Sequence, residues 1–304
     1  MPNDTWPITD MFERLTEAEW RDCQRRHHER LAPYAEERVR RMATGTKHPA
    51  RDFLFEYFSF RPSQLLRWSP GPDCLLENAR SEELAWKGVF ETVPEGLVLP
   101  AAAFPPHRLT FVRWAFNYLN KIAARPAFSG CFGLHEWAMV YREENIRHGR
   151  TPLRLSPDDI AGIVETGDLC CTHYDAYRFF TPLAVPKNRH QLTRDTTEHF
   201  DQPGCVHVTM DLYRYAYKIA PWVSGELLGD AFLLAWEARE LDMRASPYDM
   251  TGYELEPIRI EEATGRQEYV RRQQELTRKA EPIRTKLIKV YERLLEVNEE
   301  KRED

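Results

Sequence analysis

A chain of 304 residues and 35.8 kDa is long enough to bury one large core, and 42% hydrophobic with 12% aromatic residues excludes wholesale disorder. The formal charge of -6 and sequence pI near 6.0 exclude a globally basic nucleic-acid coat and leave only a local basic face for phosphates. No apolar run approaches the ~20 residues of a membrane span, and "MPNDTWPITDMFERL" has no basic or apolar leader region, so a cytoplasmic chain without a membrane partner is expected.

The pattern predicts a mainly α, single domain with a minor β element: basic N-terminal helices over 14–45, a core over 46–265, and a C-terminal amphipathic helix over 266–304. Thr16 and Glu19 form a capping-box pattern, Gly45 is a stop, and Pro33 is expected to split the first helical stretch in two. Between Arg14 and Arg51 there are 10 Lys/Arg against 6 Asp/Glu, a solvated helix face or a phosphate-facing surface. "HPARDFLFEYFSFRPSQLLRW" reads as a short buried helix turning into a second, and residues 69–105 as loops with short strands in "GVFETV" and "GLVLP". Leu109, Val112, Ala115, Phe116, Leu119 and Ile122 mark a helix closed by Pro126, and "GLHEWAMVYR" another. Ser156 caps a helix that stops at Gly167, and "LCCTHYDAYRFF" is expected as a strand. "CVHVTMDLYRYAYK" and "SGELLGDAFLLAWEARELDMRAS" predict a helical hairpin broken at Pro221. Leu276, Ala280, Ile283, Leu287, Tyr291 and Leu294 form the stripe of the last helix, which restarts at Pro282 and either caps the domain or supplies a homodimer contact.

Three histidines stand beside carboxylates in otherwise apolar segments: His135 with Glu136, His173 with Asp175, and His207 with Asp211. Buried charges are costly unless paired, so Arg178, Arg214, Arg244 and Lys218 are the expected counter-ions for these acids and for Glu240, Asp242 and Asp249. Asp242, Arg244 and Asp249 read equally as a salt-bridge lock at a helix end. His207 and Asp211 lie one helical turn apart, close enough for the acid to orient the ring or for both to hold a metal. Cys131, Cys171 and Cys205 each precede one of the histidines, but six cysteines without paired CxxC motifs read as reduced, buried thiols. Tyr177, Arg178 and Phe179 belong to an aromatic theme suited to stacking on a planar base, or to plain core packing. P-loop, GxGxxG, GxSxG and HExxH motifs are absent.

"HPARDFLFEYFSFRPSQLLRW", "CFGLHEWAMVYR", "RHGRTPLRLS", "CTHYDAYRFFTPLAVPKN", "QPGCVHVTMDLYRYAYK" and "ELDMRASPYDMTGYELEPIRI" together resemble a bacterial family labelled 3-methyladenine DNA glycosylase, in order from about His48 to the C-terminal helix. The resemblance implies a DNA-repair hydrolase that cleaves the N-glycosidic bond of alkylated purines, with damaged DNA as partner and no cofactor. The residues themselves then offer Asp211 or Asp175 as the catalytic carboxylate, with His207 or His173 beside it. His135, Glu136, Tyr177, Arg178, Phe179, Arg244 and Asp249 would bind substrate, and Arg40, Arg41, Lys47 and Arg51 would contact DNA. The alternative is a metalloenzyme acting on a small molecule, with iron or zinc on His135, His173, His207 and Asp211. A non-catalytic ligand-binding protein would use the same pocket.

Overall fold

The computed structural model describes residues 12–144, 146 and 150–303, with side chains to residue 299. Residues 1–11, which hold most of the segment expected to lack a leader, lie outside the described residues. Strand β1 (Glu13–Leu15) leads into α1 (Glu17–Thr44), whose capping box closes with the Thr16 amide donating to Glu19 at 2.9 Å. The helix ends at left-handed Gly45. Contrary to the expected break, α1 runs unbroken through Pro33. Pro33 and Glu29 both lie on the exposed face, where a carbonyl that loses its amide partner can turn to water.

Helices α2 (Phe53–Tyr57) and α3 (Pro62–Leu65) follow, then β2 (Cys74–Glu77), β3 (Glu91–Val93) and β4 (Gly96–Val98). The sheet order is β1-β2-β4-β3, with β1 parallel to β2 and the other pairs antiparallel. It packs its own small core of Trp20, Trp68, Leu76, Leu84 and Leu97. The remaining helices are α4 (Leu109–Ala123), α5 (Leu134–Ala138), α6 (Pro157–Thr166), α7 (Tyr174–Tyr177), α8 (Thr197–Phe200), α9 (Val206–Lys218), α10 (Gly225–Arg244) and α11 (Ala263–Glu303). The α9–α10 hairpin is the centre of the main core, flanked by α1 and α11, with α4 packed on α11 and its Tyr118 ring against Tyr215 of α9.

The segment before α7 is not the expected strand. Asn188 replaces a strand neighbour: its Oδ1 accepts from the Cys171 amide at 2.7 Å and its Nδ2 donates to the Cys171 carbonyl at 3.0 Å. One side chain thus satisfies the extended backbone there, and Tyr174–Tyr177 then turns helical. Nor does the last helix restart at Pro282, which again sits on the exposed face above an exposed Arg278. No described helix is long and apolar enough to cross a membrane.

Candidate active site

His135 rides on α5, which begins at left-handed Gly133, while His173 is the N-cap of α7 and His207 is the second residue of α9. The elements bring the three rings together. His135 meets His207 edge-on at 4.7 Å between centroids, and His173 stacks on His207 at 5.2 Å. Their carboxylates, however, are not the sequence neighbours. His135 Nε2 lies 2.8 Å from Asp242 Oδ1, and His173 Nδ1 is hydrogen-bonded to Asp201 Oδ1 at 3.0 Å. Glu136 instead accepts from Arg239 Nη1 at 2.8 Å, and the same nitrogen donates to Asp242 Oδ2 at 2.6 Å. Neighbours one position apart on a helix do not face each other, so His135 and Glu136 recruit separate partners.

These groups set one another's charge. Burial works against the His135 cation, but Asp242 and Cys131 outweigh it and hold its pKa well above the usual value. Asp242 is buried too, yet His135 and Arg239 keep its carboxyl below the ordinary range. For His207 burial, followed by repulsion from His135, His173 and Arg239 and only weakly opposed by Glu136, pushes the pKa well down and leaves the ring neutral. Burial likewise raises the Cys171 and Cys205 thiols, which stay protonated.

A cavity of about 660 Å³ opens beside this cluster. His173, Asp175, Asp211 and Arg214 line it together with the rings of Tyr57, Phe111, Trp114 and Tyr118. Arg214 Nη1 donates to both acids, 3.3 Å from Asp175 Oδ2 and 3.3 Å from Asp211 Oδ1. The two carboxyls nonetheless part company. Burial, helped by Asp201 and Asp175 and opposed by Arg214 and His173, raises the pKa of Asp211. Burial also acts on Asp175, but His173, Arg214, the Tyr57 hydroxyl and Arg178 together take its pKa down. Behind them, Tyr118 donates to Asp201 Oδ2 at 2.5 Å, completing a Tyr118–Asp201–His173 chain.

A second cleft, of about 1030 Å³, is lined by Lys47, His48, Phe53, Tyr57, Arg178 and Phe179 among others, so Tyr57 and Arg178 border both spaces. Arg178 pairs with Asp175 at 3.1 Å and lies over the Phe179 ring. Tyr177 is buried, its hydroxyl donating to Gln191 at 2.8 Å. Arg244 donates to the Glu256 carbonyl and Asp249 accepts from Thr251, and neither lines these cavities or joins Asp242 in a lock. Most of the basic strip is neutralised in place: Arg41 pairs with Asp52 and Glu37, Arg51 with Glu37 and Glu240, and Lys47 with Glu56, while Arg40 is exposed.

Sequence reasoning missed Asp201, Tyr118, Trp114 and Arg239. Arg239 was detectable, because it stands three residues before Asp242 in a helix otherwise apolar on that side. Asp201 had no such signal, being joined to His173 only by the fold. Comparison with protein-family models, with curated proteins and with solved structures finds no match.

Proposed function

We propose that the chain is a hydrolase of N-glycosidic bonds that acts on an alkylated purine, the base standing among the rings of Tyr57, Trp114 and Tyr118. The observation that carries this reading is the pair Asp175 and Asp211, held by one guanidinium at the cavity floor and shifted in opposite directions. Two carboxyls so separated divide the work of an acid/base site. Asp175, kept anionic, faces the positive charge that develops on the sugar as the bond breaks. Asp211, with a raised pKa, is the better proton acceptor and takes the proton of the attacking water. The water oxygen bonds to the anomeric carbon, the C–N pair leaves with the base, and a cationic alkylpurine departs neutral. His173, oriented by Asp201, lines the same floor and keeps its proton there.

A cavity of this size suits one flipped nucleotide or a nucleoside. Since Arg41, Lys47 and Arg51 already carry acidic partners, phosphate contacts fall instead to Arg194 and Lys218, which line the same cavity. The test is chromatographic measurement of free base released from methylated duplex DNA and from alkylated nucleosides. Release is expected, with Asp211→Asn slowing it by about 100-fold or more and an acid limb lying above the ordinary Asp range near ~4. No release from either substrate, or an unimpaired Asp211→Asn variant, would reject the reading.

A further inference from the structure

We propose that His135, His207 and Asp242 form a binding site for one first-row divalent metal ion, which ties α5, α9 and α10 together behind the cavity. One donor atom from each of the three lies within 4.8 Å of the other two. The site is separate from the two carboxylates assigned to N-glycosidic cleavage and does not depend on that assignment.

The geometry at His135 and Asp242 points to a missing third body. His135 Nε2 and Asp242 Oδ1 are 2.8 Å apart, yet the contact lacks the alignment of a hydrogen bond, and neither atom has another hydrogen-bond partner. Both residues are almost wholly buried, at 2% and 0% exposure, where such orphaned atoms are expensive. Two ligands bound side by side at right angles in a six-coordinate shell, with bonds of about 2.0–2.1 Å, are roughly 2.9 Å apart. An ion that displaces the Nε2 proton and sits between the two atoms explains both the short distance and the lack of a hydrogen bond. An ordinary ion pair explains only the distance.

The surroundings favour an ion over a lone water. His135 Nδ1 is turned to Cys131 Sγ at 3.3 Å, which fixes the ring and leaves Nε2 as the coordinating nitrogen. Asp242 Oδ2 is held by Arg239, which leaves Oδ1 for the metal. His207 is half-buried and lines cavities of about 30 and 10 Å³, the smaller shared with His135 and with Tyr269 and Gln273, whose hydroxyl and amide oxygen are also without partners. Among the described residues the donor atoms that converge are those of His135, His207 and Asp242, with no cysteine sulfur among them, so two imidazoles and one carboxylate make the donor set. That set suits ferrous iron, or zinc in an expanded shell, with further positions open to the polar groups of the small cavity. His173 and Asp211 fall outside it, committed to Asp201 and Arg214.

Elemental analysis of untagged full-length protein, purified without metal-affinity resin, comes first. Chelator-stripped protein is then titrated with Co²⁺, Zn²⁺ and anaerobic Fe²⁺, with visible absorption reporting the cobalt ligands. About one ion per chain is expected, bound some 100-fold or more weakly in His207→Ala and unchanged in Cys205→Ala. Independently of any variant, long-range ¹⁵N–¹H spectra of the wild-type chain should show two histidine rings shifting on Zn²⁺ addition. A protein that takes up no ion holds water there and overturns the proposal. Uptake that survives His207→Ala, uptake lost in Cys205→Ala, or shifts confined to other histidines overturns it as well.

Discussion

The His48 imidazole at the edge of the larger cleft is 7% exposed, and its Nδ1 accepts from the Arg51 amide at 3.1 Å. Burial, reinforced by Arg51 and Arg41 against the pull of Asp52 and Glu37, lowers its pKa from 6.5 to about 4. Over that interval the unfolded chain takes up a proton that the folded chain refuses. The contribution of His48 is therefore complete above pH 6.5 and is lost as pH falls toward 4. Allowing for screening by water in the cleft, the loss is about 1–2 kcal/mol. Thermal melts through this range should fall more shallowly for His48→Asn, which keeps an acceptor for the Arg51 amide. Parallel curves for the two proteins would place the acid sensitivity elsewhere, for instance at His27, whose pKa burial also lowers.

At the scale of elements, the site depends on how α9 begins. Gln202 clamps the approach: its Oε1 accepts from the amides of Phe128 and Gly204, and its Nε2 donates to the Phe128 carbonyl. Gln273 of α11 donates to the Gly204 carbonyl at 2.7 Å. There is no room for a side chain at Gly204, where a Cβ would stand 2.6 Å from the Phe128 carbonyl oxygen and 2.8 Å from its nitrogen. Backbone, unlike the end of a flexible side chain, yields only by shifting its whole segment. Gly204→Ala should therefore cost about 1–3 kcal/mol, and it should displace His207, three residues on. Thermal melting reads the first effect, and histidine ring shifts read the second. A variant as stable as the parent, with unmoved His207 resonances, would show that the 128 loop can give way freely.

Across the whole molecule, what was legible in the sequence was what periodicity and capping encode. Thr16, Gly45, Ser156 and the α4 stripe marked their helices because those signals act within a few residues. Pro33 and Pro282 misled, because a proline costs a helix less where the freed carbonyl can reach water and the helix can bend to relieve its ring, and exposure is a tertiary property. The three histidines were found, but Asp201 and Asp242 as their partners were not, since such partnerships exist only after distant segments meet. The C-terminal stripe posed the same question at the largest scale, between capping the domain and joining a second copy. In the structure Tyr269, Leu276, Ile283, Leu287, Tyr291 and Leu294 are all buried against the chain's own α4, α9 and α10. Each such side chain is worth roughly 1.5–3 kcal/mol on burial, against a net stability of about 5–15 kcal/mol for a typical domain. Losing the whole stripe should therefore exhaust the margin. A chain ending at residue 262 is expected to aggregate and show no cooperative melt, whereas the full chain should give the 35.8 kDa mass of one copy by light scattering. A soluble, cooperatively folded truncation, or a full chain at twice that mass, would mean that α11 serves a second molecule rather than its own core.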